Sequence, residues 1–154
     1  MGRKALRPHI SLRVEMANVF ELLMEVSAEE PFARKINAEI VRVGDGEAVV
    51  RMRAVSDMTN IFGMIHGGAI FSLMDEAFQL ACNSHGTVSL ALNVNVTYLA
   101  PPKVGDLLTA EAKEISCSSR IGVYQIKVTD GSGKLIATAQ AVAYRKKDPL
   151  PFLA

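Results

Sequence analysis

Asn60, His66, Gly67 and Asp75 stand at a spacing that could do chemistry. Asn60 lies six residues before His66, the turn His66-Gly67-Gly68 opens a strongly apolar run, and Asp75 follows the histidine by nine residues. If that run is a helix, its first N–H groups are free and carry the positive end of the helix dipole, so they bind developing negative charge. A carboxylate about two turns further along can act as a base or a nucleophile. An oxyanion donor and a carboxylate are the working parts of acyl transfer.

These residues need rigid elements to hold them. Residues 15–27 carry apolar side chains at Met16, Val19, Phe20, Leu22, Leu23 and Val26, a helical rhythm, and Pro31-Phe32-Ala33 opens a short second turn or a loop. From Ile36 the period becomes two. Ala48, Val50, Met52 and Ala54 share one face and Glu47, Arg51 and Arg53 the other, after the turn Gly44-Asp45-Gly46, which predicts a hairpin. Residues 68–83 predict a helix that is apolar nearly all round and therefore buried, with Gly86 beyond its end. Strands follow over residues 88–98, 107–115, 121–129 and 135–144, the first alternating throughout. Ala137, Ala139, Ala141 and Ala143 lie on one face, leaving room for a bulky neighbour. The order predicts an α+β fold: a curved antiparallel sheet of about six strands wrapped around one long buried helix.

Residues 1–154 are expected to form one domain. Hydrophobic residues make up 49% and charged residues 21%, which argues against disorder, and a net charge of +1 gives no reason to expect nucleic acid. Arg3, Lys4, Arg7 and Arg13 near the start, and Arg145, Lys146 and Lys147 in a short basic C-terminal tail, are read as solvated. There is no secretory h-region, no myristoylation pattern, and no apolar run near the roughly 18–20 residues of a membrane span, so a cytoplasmic protein without membrane contact is expected. Cys82 and Cys117 lack metal or redox spacing and are expected to be free, buried thiols. His9 and His85 have no companions in the sequence.

The set Asn60, His66-Gly67-Gly68, Leu73, Asp75 and Ala77, with Thr97-Tyr98-Leu99, Pro102, Gly105-Asp106 and the closing strand Ala139 to Tyr144, resembles the hotdog-fold acyl-CoA thioesterases. The phenylacetic-acid-degradation thioesterases are the closest subgroup, and the resemblance covers about residues 31–145. It implies hydrolysis of acyl-CoA thioesters to acid and coenzyme A with neither metal nor cofactor, and the apolar residues next to the motif favour aryl or medium-chain acyl groups. It implies that the Gly67 N–H forms the oxyanion hole, that Asn60 donates to the carbonyl or orients water, and that Asp75 is general base or direct nucleophile. It also implies a homodimer paired through the strand Val88 to Leu99, with Asp75 supplied by the subunit opposite Gly67, and further association into a homotetramer.

Beside these roles, Asp75 could instead be a solvated residue on a narrow polar stripe with Ser72, Glu76 and Gln79, and Asn60 could cap a loop. Glu76 is read as a peripheral polar contact. His66 shapes the turn more readily than it transfers protons, and Gly68 lets helix and sheet approach. Phe62 and Met64, with Phe71 or Phe78, are expected at the acyl group. Ala91 falls where some relatives carry a hydroxyl, with Asn93 and Ser89 expected on the same strand face as substitutes. Lys103, Arg120 and Arg145 to Lys147 are available to coenzyme A phosphates. The alternatives are a non-catalytic acyl-CoA-binding hotdog module and a hotdog hydratase, which needs a differently placed Asp/His pair.

Overall fold

Ala48, Val50, Met52 and Ala54 alternate because one side of their strand is to be buried, and all four sit in the core. The computed structural model describes residues 9–153, with side chains from residue 19. Arg3, Lys4 and Arg7, and the side chains of His9 and Arg13, lie outside the described residues. The elements are α1 (His9–Ala28), α2 (Pro31–Lys35), β1 (Glu39–Gly44), β2 (Glu47–Arg53), α3 (Gly67–Asn83), β3 (Thr87–Tyr98), β4 (Leu107–Cys117), β5 (Ile121–Thr129) and β6 (Leu135–Pro149). All strand pairs are antiparallel, in the order β1-β2-β4-β5-β6-β3. The sheet curves around α3, as the α+β pattern predicts.

α3 carries the chain from the β1-β2 hairpin to the far edge of the sheet, which leaves β3 as an edge strand paired only with β6. The inner side chains of β2, β4 and β5 and the alanines of β6 form one core with Leu73, Met74, Ala77, Phe78 and Leu80 of α3. Gly86 ends the helical segment with φ +79°, a conformation that favours glycine. The buried Asn83 then ties α3 to β3, since its Oδ1 accepts from Ser89 N at 2.8 Å and its Nδ2 donates to Ser89 O at 3.1 Å.

Four expectations change. α1 begins at His9 rather than near residue 15. β6 runs on to Pro149, so Arg145, Lys146 and Lys147 belong to a strand, not to a tail. Cys117 is exposed, while Cys82 is buried and its thiol is pushed up to about 12 by desolvation and by the Asp75 charge. His85 has company: Glu114 lies 2.6 Å from its Nε2 and Asp45 lies 3.2 Å from its Nδ1.

The alternation of β3 is also broken. Its register against β6 shifts between Ala91 and Asn93, which makes Leu92 a β-bulge. Side chains reverse face across a bulge. Ala91 therefore pairs with the buried Ala143 and shares the helix-facing side with Val94 and Val96, whereas Asn93, Asn95 and Thr97 pair with Val142, Gln140 and Thr138 on the outer side. No helix of the described residues is long and apolar enough to cross a membrane.

Candidate active site

The loop before α3 folds back on itself. Thr59 bridges Ile65 in antiparallel fashion, and His66 N donates to Met58 O at 2.8 Å. Inside this turn Asn60 Oδ1 accepts from Phe62 N at 2.9 Å and from Met64 N at 3.2 Å. The Asn60 side chain thus caps the loop with its oxygen, as asparagine does in Asx turns. Its Nδ2 has no hydrogen-bond partner among the described residues and remains a donor.

His66 is the N-cap of α3, in extended conformation (φ −65°, ψ 136°), and its Nδ1 accepts from Gly68 N at 2.8 Å. That bond fixes Nδ1 as an acceptor and satisfies one of the helix's orphan donors. A Cβ on Gly68 would lie 3.0 Å from His66 Nδ1, so glycine there makes room for the cap. The close approach to the sheet occurs one residue earlier. A Cβ on Gly67 would lie 3.2 Å from Tyr98 Cζ, and the Tyr98 hydroxyl donates to Gly67 O at 3.1 Å. The Gly67 N–H has no partner among the described residues. A free N–H at the start of a 17-residue helix carries the positive end of the helix dipole and is suited to hold developing negative charge.

Asp75 lies on the exposed stripe of α3, while its neighbour Glu76 turns inward under α1 and is only 4% exposed. Glu76 is therefore a buried contact, not a peripheral one: Ser27 Oγ donates to its Oε1. Burial pushes its carboxyl up, the Ser27 bond opposes this, and the charges of Glu30 and Asp75 add to the rise. Asp75 reaches solvent at the rim of an apolar cavity of about 330 Å³. Desolvation there, and then the charge of Glu30, hold its carboxyl above the ordinary carboxylate range.

Leu23, Val26, Phe78, Leu90, Leu150 and Phe152 supply the apolar wall of that cavity, which Ala91 and Ser89 also line. A second cavity of about 360 Å³ adjoins Gly67 and is lined by Met64, Ile70, Tyr98 and Leu99. The site residues are thus split between two hollows. Gly67 and Met64 line one and Asp75 lines the other; Phe62, 75% exposed, lines neither. Asn93, expected on the same strand face as Ala91, instead lines a polar groove on the outer face with Asn95, Thr97 and Gln140, because the Leu92 bulge turns it away. Ser89 is the hydroxyl residue left on the Ala91 side.

Three further residues belong to these hollows. Glu30 and Gln79 flank Asp75, Gln79 Nε2 donating to Glu30 Oε2 at 2.6 Å, and Tyr98 covers Gly67. Tyr98 carried a signal as part of the Thr97-Tyr98-Leu99 motif. Glu30 carried none, since its partner is 49 residues away.

The thioesterase superfamily model matches residues 62–137. The acyl-coenzyme A thioesterase PaaI of Escherichia coli K12 is 34% identical over 113 residues, covering 73% of this chain and 81% of that protein. The solved structure of the E. coli PaaI protein from the phenylacetic acid degradation operon superposes with a TM-score of 0.78 at 31% identity, over 81% of this chain and 91% of that one. A hypothetical thioesterase of Streptococcus pneumoniae TIGR4, solved with coenzyme A, gives a TM-score of 0.75 at 25% identity, over 82% and 99%. Motif, strand order and these likenesses agree: the chain belongs to the thioesterase superfamily, among the hotdog-fold enzymes of the phenylacetic-acid-degradation type.

Proposed function

We propose that the protein hydrolyses acyl-CoA thioesters, with aryl or medium-chain acyl groups favoured, at a site that two copies of the chain build together. One observation carries this reading. Gly67 and Asp75 are eight residues apart on one helix, which separates them by roughly 12 Å of rise and about 80° of rotation. They line different cavities, so the carboxylate of one chain does not reach a carbonyl held at its own Gly67 N–H. A twofold mate can supply it.

The surface suits such a mate. β3 is an unpaired edge bearing exposed Leu90 and Leu92, and Ile61 and Phe62 project from the loop before α3, 93% and 75% exposed. Edge strands and exposed apolar groups of this kind are normally covered. In the paired form the Gly67 N–H and Asn60 Nδ2 of one chain would donate to the thioester carbonyl. The partner's Asp75 would take a proton from water as its oxygen attacks the carbonyl carbon, or attack directly. Collapse of the tetrahedral intermediate breaks the C–S bond and expels coenzyme A thiolate. It leaves the acid on the water route, or an acyl-aspartyl anhydride on the direct route, which a water molecule then hydrolyses to the acid and free Asp75. The apolar cavity beside Asp75 is large enough for a ring or a medium chain.

The test combines turnover with complementation. Free-thiol release is followed on acetyl-, medium-chain and aryl-acyl-CoA for the wild type, Asp75→Ala and Asn60→Ala. Both variants should lose most activity. Mixing them after dissociation and reassociation should restore about a quarter of the wild-type rate, because half of the dimers are hybrid and each hybrid holds one intact site. Binding without thiol release from any substrate would favour the acyl-CoA-binding module instead, and a mixture that stays inactive would remove the shared site.

A further inference from the structure

At the end of α3 remote from Gly67, three segments meet around His85. Glu114 Oε2 lies 2.6 Å from His85 Nε2, and one ligand atom from each of His85, Glu114 and Cys117 falls within 4.8 Å of the other two. No sequence motif joins these residues; the strand that holds two of them is locally irregular. On a regular strand, residues three apart face opposite sides. The register of β4 against β5 shifts between Glu114 and Ser116, so the bulge at Ile115 returns Cys117 to the face of Glu114.

The surroundings are built to hold these groups. Tyr124 OH donates to Glu114 Oε2 at 2.8 Å, and its ring lies so close over Gly122 that a Cβ there would be 2.7 Å from Cε2. Asp45 Oδ1 stands 3.2 Å from His85 Nδ1, leaving Nε2 to face Glu114. Arg145 Nη1 donates to Cys117 Sγ at 2.9 Å. Gly46, where a Cβ would come 2.8 Å from that of Glu114, allows the β1-β2 hairpin to close over the group. A carboxylate behind the imidazole and a hydroxyl on the ligating carboxylate are the supports that orient metal ligands.

We propose that His85 Nε2, the Glu114 carboxylate and Cys117 Sγ bind Zn²⁺ or a similar transition-metal ion, with the fourth position open to water. Imidazole, carboxylate and thiolate are a zinc donor set. Tetrahedral zinc requires neighbouring ligand atoms roughly 3.2–3.7 Å apart, within reach of side-chain rotation from the present positions. Charges match as well. Glu114 and a Cys117 thiolate neutralise the ion, and Asp45 balances Arg145. The ion would displace the thiol proton and the proton between Nε2 and Oε2, clipping the turn after α3 to the end of β4.

Chelator-stripped protein is titrated with Co²⁺, and Zn²⁺ affinity is measured against a chromophoric competitor. Cys117→Ser, on an exposed side chain, His85→Gln and the control Cys82→Ser accompany the wild type. One equivalent of Co²⁺ should give a thiolate-to-cobalt charge-transfer band that is absent in Cys117→Ser and kept in Cys82→Ser. Zn²⁺ affinity should fall at least about ten-fold in Cys117→Ser and His85→Gln. No band in the wild type, a band that survives Cys117→Ser, or unchanged affinity in both variants overturns the assignment. None of these readouts depends on thioester turnover.

Discussion

The phenol of Tyr98 lies against Gly67, donating to its carbonyl oxygen at 3.1 Å and leaving a Cβ only 3.2 Å from Cζ. An edge strand thereby sets the position of the helix end that carries the free Gly67 N–H, the proposed oxyanion donor. Gly67→Ala should push the ring and the helix terminus apart by a few tenths of an ångström, lowering kcat at least about ten-fold with a stability loss of about 1 kcal/mol. Replacing Tyr98 as well should recover most of that stability, because the two substitutions relieve one contact. Additive losses in the double-mutant cycle would show that the ring does not set the position of Gly67.

Asn60 uses its two amide ends differently, and this separates folding from chemistry. Asn60→Asp keeps an oxygen to accept from Phe62 N and Met64 N but loses the free Nδ2 donor. Thermal stability should stay near wild type while kcat falls by roughly 10²–10³, the usual loss for one oxyanion donor. Asn60→Ala should lose both. A fully active Asn60→Asp would reduce the residue to loop capping.

With Asp75 as the proposed base, its raised carboxyl predicts an acid limb in the rate. A base must be ionised, so kcat/KM should rise with pH through a pKa above the ordinary aspartate range. Glu30→Gln removes the second cause of the shift and should move that limb to lower pH; an unmoved limb would detach Glu30 from the site. For stability the sign is the opposite of a salt-bridged aspartate. The folded state holds the Asp75 proton more tightly than the unfolded chain, so the contribution is present below the ordinary aspartate pKa and lost as pH rises through the raised folded pKa. Asp75→Asn should therefore melt at or above the wild-type temperature at pH 7, an advantage that disappears in acid, even as it loses activity.

Ser27 is the described side chain that donates to the buried Glu76. Ser27→Ala should destabilise by about 1–3 kcal/mol at neutral pH, because it leaves a buried carboxylate with one fewer donor. The Ser27 bond lowers the Glu76 pKa, so its contribution is present when Glu76 is ionised and fades as pH falls through the folded value. Denaturant melts at pH 8 and pH 5 should show the larger loss at pH 8. Equal losses would mean that the bond is not to the ionised form.

Periodicity made the elements legible. The alternation of Ala48 to Ala54, the apolar run after Gly68 and the turn at residues 129–133 each follow from a side-chain pattern that only one local geometry can bury. The His66-Gly67-Gly68 turn and Asp75 were legible for a similar reason, because a helix start and a carboxylate on the same helix are local facts. Face and company were not. Alternation through Leu92 placed Asn93 beside Ala91, yet a single bulge residue, invisible to a period-two count, sent Asn93 to the outer surface. The same device at Ile115 set Glu114 and Cys117 side by side.

By itself, then, the sequence determined which segments are helix or strand and the family to which they belong, and it nominated the residues proposed for acyl transfer. The tertiary structure decided which of those residues meet. It put Glu76 inside and Asp75 at a cavity rim, laid Tyr98 on Gly67, and gathered Asp45, His85 and Glu114 from three segments. The physical reason is range. Propensity and periodicity act over a few residues, whereas register, bulges and the burial of a charge depend on partners tens of residues away in the chain.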